Sequence, residues 1–175
     1  DSSRFLRELA PDLAEKLAGL DYAPLAVLHL AVTKPCPVPE RAFGVLFPSE
    51  SRSSLLGVMF NSELFPHLAP EGRHLLTVCI GGAGNEQMVA KERAELEETA
   101  RRELAEKLSL SDSTVLAFRK WPRAIPQYHL GHHIVTAMMD DLERRLPGLR
   151  FVGADRGGVG VPDRVKAAYL EEDCR

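Results

Sequence analysis

Cysteine is scarce in this 175-residue chain: Cys36, Cys79 and Cys174 are odd in number and lack metal or redox spacing. That excludes a disulfide framework and a thiolate metal site, and it fits single thiols in a reducing compartment, with the cytoplasm as the expected location. Long apolar runs are missing as well. Leu25 to Leu28 and Leu75 to Ile80 fall far short of the ~20 residues a membrane helix needs. Neither sign of charge dominates, because 22 Lys and Arg are interspersed with 25 Asp and Glu for a net charge of -3. Without a basic stripe there is no footprint for nucleic acid or an acidic surface. No G-x-S-x-G elbow surrounds Ser49, Ser51, Ser53 or Ser54, which leaves hydrolase chemistry unsupported. The chain begins at Asp1 with neither an initiator Met nor a signal-peptide pattern, so a fragment or a processed form is expected.

What remains is an ordinary globular composition, 45% hydrophobic and 27% charged, enough for one domain with a real core. Phe5, Leu6, Leu9, Leu13 and Leu17 recur at helical spacing, weakened midway by Pro11. Tyr22 to Val32 reads as a strand in which Pro24 suits an edge or the start of the element. After the stiff Pro35, Pro37 and Pro39 segment, Phe43 to Phe47, Leu55 to Phe60 and Leu75 to Ile80 have the pattern of an antiparallel meander. From Met88 to Leu108 the spacing becomes helical: Leu96, Ala100, Leu104 and Leu108 form a stripe, while Glu97 with Arg101, Glu98 with Arg102 and Glu103 with Lys107 form surface pairs. A strand at Thr114 to Phe118, a helix at Ile134 to Leu146 and a last strand at Leu149 to Gly153 complete the order. The expected class is α+β, a mixed and mostly antiparallel sheet with flanking helices.

Phe151 to Asp163 (FVGADRGGVGVPD) reads as a strand, a glycine-rich bend and a helix start. Pro162 suits the first helical position, and Asp163 places negative charge in the first turn. Gly157, Gly158 and Gly160 leave no side chain to fend off a planar ring or a phosphate. A plain strand-to-helix turn is the alternative reading. Ile80 to Glu86 (IGGAGNE) does not make a dinucleotide fingerprint, because the third glycine of G-x-G-x-x-G would fall at Gln87; a loop between an edge strand and a helix is expected. His129, His132 and His133 lack a Cys, Asp or Glu partner at zinc spacing, so no metal site is expected there. His29 and His74 read as sheet-face residues. Trp121 to Tyr128 (WPRAIPQY) packs the only Trp, two prolines and a Tyr into eight residues. It is expected to form a rigid loop that either buries Trp121 or presents it to a planar cofactor or macrocycle.

Together, YAPLAVLHL (Tyr22 to Leu30), FGVLFP (Phe43 to Pro48), LLGVMFNSELFPHLAPEG (Leu55 to Gly72), LLTVCIGG (Leu75 to Gly82), KWPRAIPQYHLGH (Lys120 to His132) and LPGLRFVGADRGGVGVPDRV (Leu146 to Val165) resemble the C-terminal portion of protoporphyrinogen oxidases. Those are flavoenzymes of haem and chlorophyll biosynthesis in the flavin amine oxidase-like superfamily. The resemblance implies FAD as cofactor and protoporphyrinogen IX and oxygen as substrates; no acid–base residue in this chain demands a catalytic role, and none is assigned one. It implies that residues 1–148 are part of a substrate-binding domain, that 149–175 are the returning strand, loop and helix of the FAD domain, and that the N-terminal FAD fingerprint is absent. It places the backbone of Val159, Gly160 and Val161 against the flavin, with Trp121, Gly153 and Asp155 also cofactor-binding and Ile125, Gln127 and Tyr128 shaping a substrate wall. A helix N-terminus stabilises the charge of a reduced flavin by a fraction of a kcal/mol to about 2 kcal/mol.

This sequence departs from the family pattern in three places. Asp155 stands where Asn or Ser is commoner, Arg164 where Cys is commoner, and Lys166 onward ends in LEEDCR. A chain without the fingerprint is expected to be inactive alone, working with a missing N-terminal half or as a homo-oligomer, at the periphery of a membrane in the parent. The rival readings are another flavin amine-oxidase-like enzyme of phytoene-desaturase type and a non-catalytic porphyrin-binding or assembly module.

Overall fold

The computed structural model describes residues 2–33 and 37–169. Cys36, Cys174, Pro35 and the tail from Leu170 to Arg175 lie outside the described residues. The chain divides into two compact units, Ala23–Ala124 and a second composed of Asp1–Tyr22 with Ile125–Arg175.

Strands β1 (Tyr22–Thr33), β2 (Gly44–Leu46), β3 (Leu55–Met59), β4 (Arg73–Gly81) and β5 (Ser113–Pro126) form one sheet in the order β2-β3-β4-β1-β5. β1 runs antiparallel to β4 from Leu25 opposite Gly81 to Thr33 opposite Arg73, and β3 is antiparallel to both β4 and β2. The expected α+β class with an antiparallel sheet is what forms. Alternation along β1 turns Ala26, Leu28, Leu30 and Val32 inward. They share a core with Leu76, Val78 and Ile80 of β4 and with Leu96, Ala100 and Leu104 of helix α5 (Arg93–Leu108). These last three side chains are fully buried, and burial of each contributes about 1.5–3 kcal/mol for a Leu-sized group.

In the other unit, which also holds α7 (Val161–Tyr169), α1 (Ser2–Leu6), α2 (Pro11–Ala18) and α6 (His132–Arg145) share a smaller core of Leu6, Leu13, Ala14, Leu17, Met139, Leu142 and Phe151, the last from the segment between α6 and α7.

Several expectations need correction. The first helix is two helices, because Pro11 cannot donate to the preceding turn and instead starts α2 at its first position. The Met88 to Leu108 helix is also broken: α4 (Gln87–Ala90) ends where Lys91 turns extended, and the Lys91 carbonyl accepts the Lys120 ammonium. β4 is an interior strand rather than an edge, and β1 is interior too, with Pro24 just outside its ladder with β4. Glu103 does not make a surface pair with Lys107. It is buried, and it accepts Ser53 Oγ at 2.5 Å and the Ser54 N–H at 2.9 Å. Trp121 to Pro126 is strand rather than loop; β5 is the edge strand, where missing proline N–H groups cost no ladder bond. No strand forms at Leu149 to Gly153. There the Phe151 N–H donates to Glu143 and the Phe151 carbonyl accepts Arg156, so side chains satisfy the groups that a neighbouring strand would have paired.

Candidate functional site

The glycine-rich segment between α6 and α7 is held by two guanidinium groups. Arg156 donates to Glu143 and Asp140 of α6, the latter at 2.7 Å, and to the Phe151 carbonyl at 3.1 Å. Arg164, in the first turn of α7, donates to the carbonyls of Gly153 and Gly157, while its Nε is buried with no partner among the described residues. Asp163 folds back so that its carboxylate accepts the Gly160 N–H at 3.2 Å. That carboxylate explains two glycines. A Cβ on Gly158, whose φ is +83°, would lie 2.6 Å from Asp163 Oδ2, and one on Gly160 would lie 2.9 Å away.

The same observations test whether a flat anionic group fits. Nothing lies within 4 Å of a Cβ built on Gly157. Val159 is 53% exposed and Val161 75%, so the segment leaves its backbone open to a neighbour. The Asp163 carboxylate already takes the Gly160 N–H at this helix start and Arg164 is engaged with two carbonyls, so what the segment offers a flat ring is its open glycine surface rather than free positive charge.

Tyr128 joins this segment. Its hydroxyl donates to the Ala154 carbonyl, and its ring stacks on His132 with centroids 4.4 Å apart. Burial pushes the Tyr128 phenol up, opposed by the nearby Arg164 cation. Gln127 turns its amide back to the Ile125 carbonyl at 2.9 Å, and its backbone N–H donates to Asp21. Asp155 accepts Ser2 Oγ at 3.3 Å. The expected residues Ile125, Gln127, Tyr128, Gly153, Asp155, Val159, Gly160 and Val161 therefore all belong to one unit. Trp121 lies in the other, 47% exposed, with the Arg119 guanidinium 4.9 Å from its ring centroid.

No group of metal ligands forms among the described residues. His129 pairs instead with Asp21 at 2.9 Å. Sequence reasoning missed Arg156. Its signal was present, an Arg inside a glycine run with Asp140 and Glu143 three apart on the preceding helix.

The model of the flavin containing amine oxidoreductase family matches residues 2–170. This chain belongs to that family. It is 35% identical over 180 residues to the chloroplastic protoporphyrinogen oxidase of Oryza sativa subsp. japonica, covering 96% of this chain and 34% of the relative. It is 32% identical over 156 residues to the mitochondrial protoporphyrinogen oxidase of Nicotiana tabacum, covering 86% and 31%. To the coproporphyrinogen III oxidase of Bacillus subtilis (strain 168) it is 27% identical, over 69% and 26% of the two chains. The chain thus spans about one third of the length of the plant relatives it matches. In structure it is similar to a candidate protoporphyrinogen oxidase from Exiguobacterium sp. 255-15, with a TM-score of 0.73 at 19% identity over 98% of this chain and 38% of that one. A reduced UDP-galactopyranose mutase shares the fold at a TM-score of 0.58, with 18% identity over 77% and 28% of the chains. FAD is the cofactor that membership of the family implies.

Proposed function

We propose that this chain forms part of an FAD-dependent oxidase that converts protoporphyrinogen IX to protoporphyrin IX, with oxygen taking the electrons. The identity shared with plant protoporphyrinogen oxidases over 96% of the chain carries the reading. In it, Gly153, Asp155 and the backbone of Val159, Gly160 and Val161 hold the flavin together with Trp121, while Ile125, Gln127 and Tyr128 form a wall beside the substrate. Residues 1–148 belong to the substrate-binding domain and 149–175 to the FAD domain. Bound FAD supplies the hydride acceptor. The chain's own part is to fix the glycine backbone through Arg156 and Arg164 and to offer it an open, ordered surface.

Reconstitution of the whole oxidase of which this chain forms part with FAD, followed by anaerobic and aerobic assay on chemically reduced protoporphyrin IX, tests the reading. Growth of porphyrin fluorescence that depends on both FAD and oxygen supports it, and its absence overturns it. The isolated 175 residues should bind FAD weakly and turn over nothing, since no G-x-G-x-x-G clamp lies within them. Micromolar flavin binding with full turnover by the isolated chain would sink that part.

The match to a coproporphyrinogen III oxidase supports a second reading, in which the tetracarboxylate coproporphyrinogen is the substrate. Side-by-side kcat/KM values on the two porphyrinogens decide between them. The reading also places the protein in the cytoplasm as a homo-oligomer or with further chain, in peripheral contact with a membrane. The plant relatives named above are chloroplastic or mitochondrial, and no helix among the described residues is long and apolar enough to cross a membrane. Cell fractionation and sedimentation test these points.

A further inference from the structure

Helix α7 buries none of its residues, although its sequence has an apolar face. Val161, Val165, Ala168 and Tyr169 stand at i, i+4, i+7 and i+8, which gathers them into one stripe about 100° wide. Exposure runs opposite to that of an ordinary surface helix. Val161 is 75% exposed, Val165 50% and Tyr169 68%, and Ala168 is exposed too, while Arg164 and Ala167 on another side of the helix are half-buried. Arg164 turns to the carbonyls of Gly153 and Gly157, and the apolar stripe turns to solvent. No residue of α7 enters the core that α1, α2 and α6 share.

A helix of 9 residues is shorter than the ~12–15 residues that hold together alone in water, so it depends on packing of its apolar face. The size of the stripe says what kind of partner fits. A stable contact between two separate proteins takes about 20–30 residues a side, and α7 offers four. So small a face suffices where the partner belongs to the same polypeptide, at the roughly millimolar effective concentration that a covalent connection gives. A lipid surface suits it poorly, because an interfacial helix lines its polar face with Lys and Arg. Here Asp163 opens the helix and the cations are Lys166 and Arg164, the latter taken up by the two carbonyls. The chain spans about one third of the length of the plant relatives it matches, so the greater part of a polypeptide of that length lies outside these 175 residues.

We propose that the side chains of Val161, Val165, Ala168 and Tyr169 form a docking face for an apolar surface of the rest of the oxidase, and that this contact fixes the glycine-rich segment for the flavin. The inference rests on the reading of this chain as part of a larger FAD-dependent oxidase. The segment runs directly into α7: Val159 and Gly160 precede Val161, and Asp163 of the first turn accepts the Gly160 N–H at 3.2 Å. A helix held by its stripe therefore holds the Gly160 end of the segment, as Glu143 and Arg156 hold the Phe151 end. Val165 and Tyr169, one and two turns further along, are positioning residues that act on the flavin through this backbone.

The test uses the whole oxidase. Val165→Cys and Lys166→Cys, neighbours on the same helix, are labelled with a maleimide and read by peptide mass, which separates them from Cys36, Cys79 and Cys174. Val165→Cys should label at least about 10-fold more slowly than Lys166→Cys, at every protein concentration and without lipid. Val165→Asp should raise the FAD Kd about 10-fold, and Lys166→Asp should leave it within about twofold of wild type. Equal labelling rates at the two positions, or equal FAD affinity of the two Asp variants, overturns the proposal. So does protection of Val165→Cys that appears only as protein concentration rises, which marks a second copy, or only with phosphatidylcholine vesicles, which marks a lipid surface. The cysteine pair reads the docking even where Val165→Asp does not fold. An oxidase in which Val165→Cys is protected but which leaves the porphyrinogen unoxidised overturns the functional reading and leaves the docking face in place.

Discussion

Glu143 and Arg156 close the glycine-rich segment onto α6 through a single carboxylate oxygen. Glu143 Oε1 takes the Phe151 N–H at 2.6 Å and the Arg156 guanidinium together, on side chains only 12% and 26% exposed. A side-chain pair thus does the work that strand pairing would have done at Phe151, and it sets where the glycines lie. Four consequences of the structure can be measured.

Glu143→Gln removes the charge and weakens both bonds, and Glu143→Ala also leaves the Phe151 N–H without its acceptor. The Ala variant should lose about 1–3 kcal/mol in denaturant titration, and the Gln variant less. Burial opposes ionisation of Glu143, but the Arg156 and Phe151 hydrogen bonds outweigh it, so its carboxyl is held below the ordinary 4.5. The sign follows from linkage: the unfolded state binds the proton more readily, so this stabilisation is complete above the ordinary value and is lost as pH falls through the lower folded one. An Ala variant whose acid-unfolding midpoint does not differ from wild type would contradict it.

Gly157 and Gly158 are neighbours with opposite tolerance. Gly158→Ala forces a left-handed residue and a Cβ 2.6 Å from the Asp163 carboxylate, whereas Gly157→Ala meets open space. The former should cost at least about 1–2 kcal/mol and the latter well under 1 kcal/mol. Equal stability of the two variants would show that the segment does not hold the conformation described here.

Glu103 is the buried carboxylate of the sheet unit, 5% exposed. Burial raises its pKa, yet the bonds from Ser53 and Ser54 prevail and lower it. Glu103→Ala should therefore cost about 1.5–3 kcal/mol at neutral pH. The difference from wild type should narrow as pH falls below the ordinary carboxylate value, because protonation removes the same interaction. A difference that stays constant between pH 7 and strongly acidic pH would refute this account.

Trp121 contributes little to the core, because nearly half of it is exposed. Its contact with Arg119 is worth about 0.5–1 kcal/mol at an exposed site. Trp121→Ala should leave thermal stability almost unchanged while raising the FAD Kd about 10-fold in the reconstituted protein, since a stacked aromatic supplies much of the contact area a ring can offer. An unaltered flavin affinity would remove Trp121 from the cofactor site.

Periodicity in the sequence was enough to locate β1, the meander and α5, because alternation and the four-residue stripe at Leu96, Ala100 and Leu104 are properties of local geometry that burial then enforces. The motifs from Trp121 to Tyr128 and from Phe151 to Asp163 stand out in the sequence by their proline, aromatic and glycine content. Pairing was not legible. Whether Glu103 faces Lys107 or Ser53, whether β4 is an edge, and whether Phe151 finds a strand or a carboxylate all depend on groups up to about fifty residues away in the chain. His29 makes the same point: as a letter in an apolar run it was one more sheet-face residue, and only the register of β1 and β4 sets it against Thr77, and the fold sets Thr77 against Asn61. Local chemistry determined the elements and the glycine-rich surface. Tertiary structure decided their partners, because a hydrogen bond between distant residues forms only when the whole sheet fixes their register.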